Sequence, residues 1–183
     1  MNYTMTPRLT KFDSVNFRSR LEAKWACMFD LMGWEWQYEP MQVNGYNPDF
    51  IIYTKSKSYK TNRIIVEVKP SIFINEEYKK EVINKYSNAK SHFLLLDENP
   101  FTEYGGCIII GFGCQYLDDN YELDDFYPIE MKSDNDIGSA YMCYDGMVFD
   151  EVDRKRFIDK KDMEYNNLKY MWKCAGNMTQ FKV

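Results

Sequence analysis

Between Val15 and Met32 the apolar residues Phe17, Leu21, Trp25, Met28, Phe29 and Met32 recur at helical spacing, which predicts an amphipathic helix. Asp13 or Ser14 is available as its N-cap and Gly33 as its stop. The pattern then changes to short runs rich in β-branched and aromatic residues: Glu35 to Tyr38, Asp49 to Tyr53 behind Asn47-Pro48, and Arg63 to Lys69. These predict three strands. After Pro70 helical spacing returns in Tyr78, Val82, Ile83, Tyr86 and Ala89, with Asn75 as the cap and Glu76 and Glu77 well placed in the first turn. His92 to Leu96 and Cys107 to Phe112 predict further strands, the second apolar enough for the middle of a sheet. The acid-dense tract from Leu117 to Asp136 reads as loop. Ala140 to Phe149 reads as a hairpin around Asp145-Gly146, and Tyr165, Leu168, Met171, Trp172 and Ala175 mark a final helix.

The order αβββαββ predicts an α/β (α+β) fold with a central mixed sheet flanked by helices, plus a C-terminal hairpin and helix. With 183 residues, no internal repeat and no Pro, Gly or Ser-rich linker, one domain is expected: a core over 14–113, an acidic loop over 117–136 and a C-terminal unit over 140–183. Hydrophobic residues at 45% and charged residues at 28% exclude a disordered chain. No apolar run approaches the roughly 20 residues of a membrane-spanning helix, and Met1 to Lys11 lacks a signal-type stretch. A soluble cytoplasmic protein with no membrane partner is therefore expected. The formal net charge of −5 excludes a wholly basic surface but leaves room for a local basic patch. Five cysteines without a C-x-x-C pair read as reduced thiols. His92, the single histidine, has no partner motif for nucleophilic catalysis, and Gly105-Gly106 and Gly111-Phe112-Gly113 read as turns or bulges, since no Gly-Lys-Ser/Thr follows them.

Candidate chemistry concentrates in Arg63-Ile64-Ile65-Val66-Glu67-Val68-Lys69-Pro70. Alternation along a strand sends Ile64, Val66 and Val68 to one face, and Ile65, Glu67 and Lys69 to the other. Asp49 opens the preceding strand behind Pro48, and pairing of the two strands would bring Asp49 and Glu67 together. Two carboxylates and a backbone carbonyl, that of Val68, suit a hard divalent cation. Lys69 beside them suits the orientation of an attacking water and the stabilisation of charge on a phosphoryl group. Glu22 borders the apolar stripe of the first helix and is placed to approach the sheet, while Arg18, Arg20 and Lys24 form a basic surface able to hold phosphates. Lys55 and Lys57, with Lys60 and Arg63, can contact a nucleic-acid backbone, and Tyr53, Tyr59 and Tyr86 can stack on bases. Each piece also has a plainer role: Glu67-x-Lys69 as a solvated face or as part of a cross-strand ion pair, Pro48-Asp49 as a turn, Glu22 with Arg18 as a surface pair, the lysines as a solvated loop and the tyrosines as packing.

Taken together, Phe17-Arg18-Ser19-Arg20-Leu21-Glu22-Ala23-Lys24-Trp25-Ala26, Tyr38-Glu39-Pro40, Pro48-Asp49-Phe50 and Val66-Glu67-Val68-Lys69-Pro70 resemble the PD-(D/E)xK, or restriction-endonuclease-like, nuclease superfamily. Within it they look most like small phage-encoded and transposase-associated endonucleases. The resemblance covers Phe17 to Leu96 and implies an αβββαβ core. It implies Asp49 and Glu67 as metal ligands together with the Val68 carbonyl, Lys69 as the catalytic lysine, and Glu22 as the helix carboxylate, catalytic and assisting the metal. The implied activity is Mg²⁺- or Mn²⁺-dependent hydrolysis of DNA, in the host cytoplasm for a phage-encoded protein. Partners implied by analogy are DNA, a second copy of the chain, or a protein of a replication, recombination or transposition assembly. Glu39 matches a recurrent feature of these enzymes and equally suits a structural pairing with Arg18 or Arg20. A nuclease-fold module that binds without cutting, and an unrelated α/β domain, are the competing readings.

Overall fold

Thr10–Phe12 (β1) and Val15–Phe17 (β2) form an antiparallel hairpin, Thr10 opposite Phe17 and Phe12 opposite Val15. Its two-residue turn, Asp13-Ser14, takes φ of 41° and 65°, the pair of positive values that matches the twist of the flanking strands. The helical spacing had placed a helix start at Val15 with one of these residues as its cap. The helix α1 instead spans Arg20–Leu31, capped by Ser19, whose hydroxyl accepts the Glu22 N–H. Phe17 is buried from a strand, at a position that coincides with helical spacing. At the far end Gly33 takes φ 70°, its N–H donates to the Asp30 carbonyl and the Trp34 N–H to that of Phe29. This Schellman stop is the one expected of Gly33.

The computed structural model describes residues 8–40, 42, 45–53, 63–86, 91–98, 102–104, 107–114, 127–131, 141–143, 146–148 and 165–180. After α1 come Glu35–Tyr38 (β3), Phe50–Tyr53 (β4), Arg63–Val68 (β5), a short 3₁₀ turn over Ser71–Phe73, Glu76–Tyr86 (α2) and His92–Leu96 (β6). Thr102–Tyr104 (β7), Cys107–Cys114 (β8), Tyr127–Met131 (β9), Tyr141–Cys143 (β10), Gly146–Val148 (β11) and Tyr165–Met178 (α3) complete the described elements. The strands β3, β4 and β5 pair antiparallel and β6 joins β5 in parallel, so the centre of the sheet is mixed. The sheet continues from β6 through β8, β9, β10 and β11, with β7 on the free half of β8.

β1 and β7 were not foreseen, and β9 corrects the reading of 117–136 as loop. Its alternating Tyr127-Pro128-Ile129-Glu130-Met131 pairs with β8, and the remainder of that tract lies outside the described residues. The expected bulge is present where the β8–β9 register shifts between Ile109 and Gly111. The C-terminal hairpin pairs Tyr141 with Val148 and Cys143 with Gly146; its turn residues lie outside the described set.

Strand alternation sorts the core into two layers. Phe50, Ile52, Ile64, Val66, Val68, Leu94 and Leu96 join Phe17, Trp25, Met28 and Phe29 in one cluster that also takes Ala175 of α3. Burying an aromatic or large aliphatic side chain of this kind contributes about 1.5–3 kcal/mol. On the opposite face Ile51, Ile65, Phe93 and Leu95 are buried, and α2 lays Tyr86 against Phe93 with ring centroids 4.9 Å apart. The architecture is thus mixed α+β, a mixed sheet with helices on both faces. No described helix is long and apolar enough to cross a membrane.

Candidate functional site

Asp49 stands immediately before β4, where Pro48, lacking an N–H, marks the strand's entry. The register that pairs Phe50 with Val66 brings Asp49 opposite Glu67 one step further along. Asp49 is 4% exposed. Its Oδ2 accepts the Val68 N–H at 2.8 Å, and its Oδ1 accepts from the Arg18 guanidinium. Glu67 shares a hydrogen bond with Asp49 and accepts another from the Tyr86 hydroxyl. Burial first, and then the neighbouring charge of Glu67, hold the Asp49 carboxyl well above the usual carboxylate range, against the pull of the Val68 amide and Arg18. Burial also raises Glu67, opposed by the Tyr86 phenol, by the bond with Asp49, and by the charges of Lys85 and Lys69. Two crowded carboxyls, one buried and one half-buried, gain from a cation.

Glu22 is 7% exposed and approaches the sheet, as its place on the helix implied. One carboxylate oxygen accepts from Ser19 Oγ at 2.8 Å; the other accepts from the Tyr38 hydroxyl at 2.6 Å and the Arg18 N–H at 3.1 Å. With the Glu22 N–H donating to Ser19 Oγ, Ser19 and Glu22 cap the helix reciprocally, Glu22 taking the Ser19 hydroxyl and the Arg18 N–H, and the cap reaches β3 through Tyr38. Glu22 therefore locks the start of α1 against the sheet while its charge still acts on Asp49.

Asp49, Glu67, Val68 and Lys69 line one polar cavity of about 730 Å³, with Glu22 and Arg18 on one wall and α2, through Tyr78, Glu81 and Lys85, on another. The Lys69 ammonium lies 5.3 Å from the Tyr78 ring centroid. Arg18 pairs with both Asp49 and Glu39, which gives Glu39 the structural partner anticipated for it. Arg20 and Lys24 do not join this cavity. Arg20 donates to the Gly176 carbonyl at 3.1 Å, and Lys24 sits 3.6 Å from the Trp172 ring centroid, where burial lowers its pKa to about 8. Lys55, Lys57, Lys60 and Tyr59 lie outside the described residues.

Two tyrosines carry roles the sequence pattern hid. Tyr86, considered as a base-stacking residue, is 1% exposed and holds Glu67; burial and the Glu67 charge raise its phenol pKa, so it acts as a neutral donor. Tyr38 joins β3 to the helix cap. Among the described residues no group of three or more His, Cys, Asp or Glu side chains forms a metal cage. The donor set that is present, two oxygen-bearing carboxyls beside a strand-end backbone, fits a hard cation that retains several waters. Comparison with protein-family models, with curated proteins and with solved structures finds no match to the chain.

Proposed function

We propose that the chain is a divalent-metal-dependent nuclease with a restriction-endonuclease-like core, hydrolysing phosphodiester bonds in DNA as an endonuclease. The observation that carries this reading is the convergence of Asp49, Glu67 and Lys69 in one cavity, with the buried Asp49 carboxyl set against the half-buried one of Glu67. Asp49 and Glu67, with the Val68 carbonyl, would hold Mg²⁺ or Mn²⁺. Such an ion supplies Lewis acidity toward a phosphoryl oxygen and acidifies a bound water.

The chain's own residues supply the rest. Lys69 orients the attacking water and offsets negative charge on the phosphoryl oxygens in the transition state. The water oxygen bonds to phosphorus, the bond from phosphorus to the leaving sugar oxygen breaks, and that oxygen takes up a proton. Tyr86 fixes the Glu67 carboxylate by hydrogen bonding, and Glu22 keeps α1 and Arg18 in register with the cavity.

The test is cleavage of labelled duplex, single-stranded and branched DNA, and of RNA, in Mg²⁺ or Mn²⁺ and in chelator. Cleavage of DNA that needs the metal and falls about 100-fold or more in Lys69→Ala is expected. Binding without cleavage of any substrate would replace the enzyme with a nuclease-fold binding module, and neither binding nor cleavage would remove the reading.

A further inference from the structure

The two carboxylate oxygens of Asp49 are held in different ways. Oδ2 accepts the Val68 N–H, a backbone donor that the sheet fixes in place. Oδ1 accepts from Arg18, whose side chain is 56% exposed against 6% for that of Asp49. A half-solvated arginine leaves such a contact by rotating about its own side-chain bonds; a strand amide cannot. The same guanidinium has a second seat, since its Nε lies 2.8 Å from Glu39 Oε1. That seat is built into the backbone. Glu39 takes φ 43°, a left-handed conformation unfavourable for a residue with a Cβ, and its N–H bonds the Asp49 carbonyl at 3.0 Å. The Arg18 main chain is pinned as well, its N–H donating to Glu22 and Tyr38. A fixed backbone thus carries a half-exposed guanidinium that bridges two carboxylates, Asp49 buried in the cavity and Glu39 outside its lining.

Resting on the reading of Asp49 and Glu67 as a cation site, we propose that Arg18 is a displaceable counter-ion. It bridges Asp49 Oδ1 and Glu39 until a divalent cation arrives, then gives up Asp49, keeps Glu39 and turns the freed nitrogen to a substrate phosphate. A guanidinium and a dication repel strongly when both crowd one buried carboxylate oxygen. Arg18 therefore weakens cation binding in the absence of substrate, and a phosphodiester that engages Arg18 strengthens it. By linkage the cation strengthens phosphodiester binding to the same degree. Arg18 is in this sense a positioning residue, coupling the two ligands without ligating the metal.

The test is titration of Mn²⁺, followed by the paramagnetic resonance of the free ion, into wild type, Arg18→Gln and Glu39→Gln, each checked by thermal melting. Arg18→Gln is expected to tighten Mn²⁺ binding about three- to tenfold, the scale of one competing ion pair removed. Glu39→Gln, which removes the second seat, is expected to weaken it about twofold or more. Loss of a merely structural arginine would loosen the site, not tighten it. If wild type and both variants bind Mn²⁺ alike, the displacement is overturned and the nuclease reading stands. If neither wild type nor Arg18→Gln binds Mn²⁺, the cation site falls and the displacement with it. Should Arg18→Gln fail to fold, Arg18→Lys, whose ammonium cannot span both carboxylates, is expected to tighten binding in its place, and unchanged affinity there overturns the proposal.

Discussion

At the scale of the residue, Asp49 and Glu67 work against the fold they occupy. Burial raises both carboxyls above their ordinary values, and the charge of Glu67 raises Asp49 further. A carboxyl whose folded pKa exceeds its unfolded value of about 4 leaves stability intact below the unfolded value. That stability is lost as pH rises through the folded value, because the folded state then surrenders protons it held more tightly. In chelator, Glu67→Gln is therefore expected to match wild type near pH 4 and to melt higher at pH 8, by about 2–4 °C for each kcal/mol of relieved repulsion. A melting series across that range checks the sign; a variant less stable than wild type at pH 8 would show the pair to be net stabilising. Added Mn²⁺ is expected to raise the melting temperature of wild type and not of the variant.

At the scale of the element, the start of α1 is where structure and site meet. Ser19 caps the helix, and through Glu22 the same cap reaches Tyr38 and the Arg18 backbone. Ser19→Ala is expected to lower unfolding free energy by about 1 kcal/mol, read from the midpoint of urea denaturation at unchanged slope; an unaltered midpoint would show that Glu22 caps without it. The Ser19-x-x-Glu22 signature was present in the sequence, yet Phe17 fell in step with the helical stripe and drew the helix start upstream. Only pairing with Thr10 reveals Phe17 as a strand residue. The strand β9 escaped for a related reason. Its five residues sit in an acid-dense tract, and what makes them a strand is β8, a partner distant in sequence. Asn75 and Gly33, whose effects are local, were legible: Asn75 Oδ1 accepts the Tyr78 N–H at 2.8 Å, and Gly33 adopts the left-handed stop.

At the scale of the whole molecule, the cavity lies where β4 begins and β5 ends, between α1 on one face of the sheet and α2 on the other. Strand alternation and Pro48 were enough to foresee that Asp49, Glu67 and Lys69 share it. Which bases face it was not legible, because that depends on the docking of α3. Trp172 packs 4.7 Å from the Trp25 ring centroid and draws Lys24 over its own ring, and the Gly176 carbonyl takes Arg20. Arg18, one residue before the cap, is left to the cavity and its carboxylates. The contribution of α2, Tyr86 bonded to Glu67, was hidden for the same reason, since a tyrosine on an apolar stripe reads as packing until the sheet beneath it is known. The most direct test of the account is calorimetric titration of Mn²⁺ into wild type and into the Asp49→Asn, Glu67→Gln double variant. Saturable binding in wild type that disappears in the folded double variant is the expected result; no binding by wild type, or equal binding by both, would contradict it.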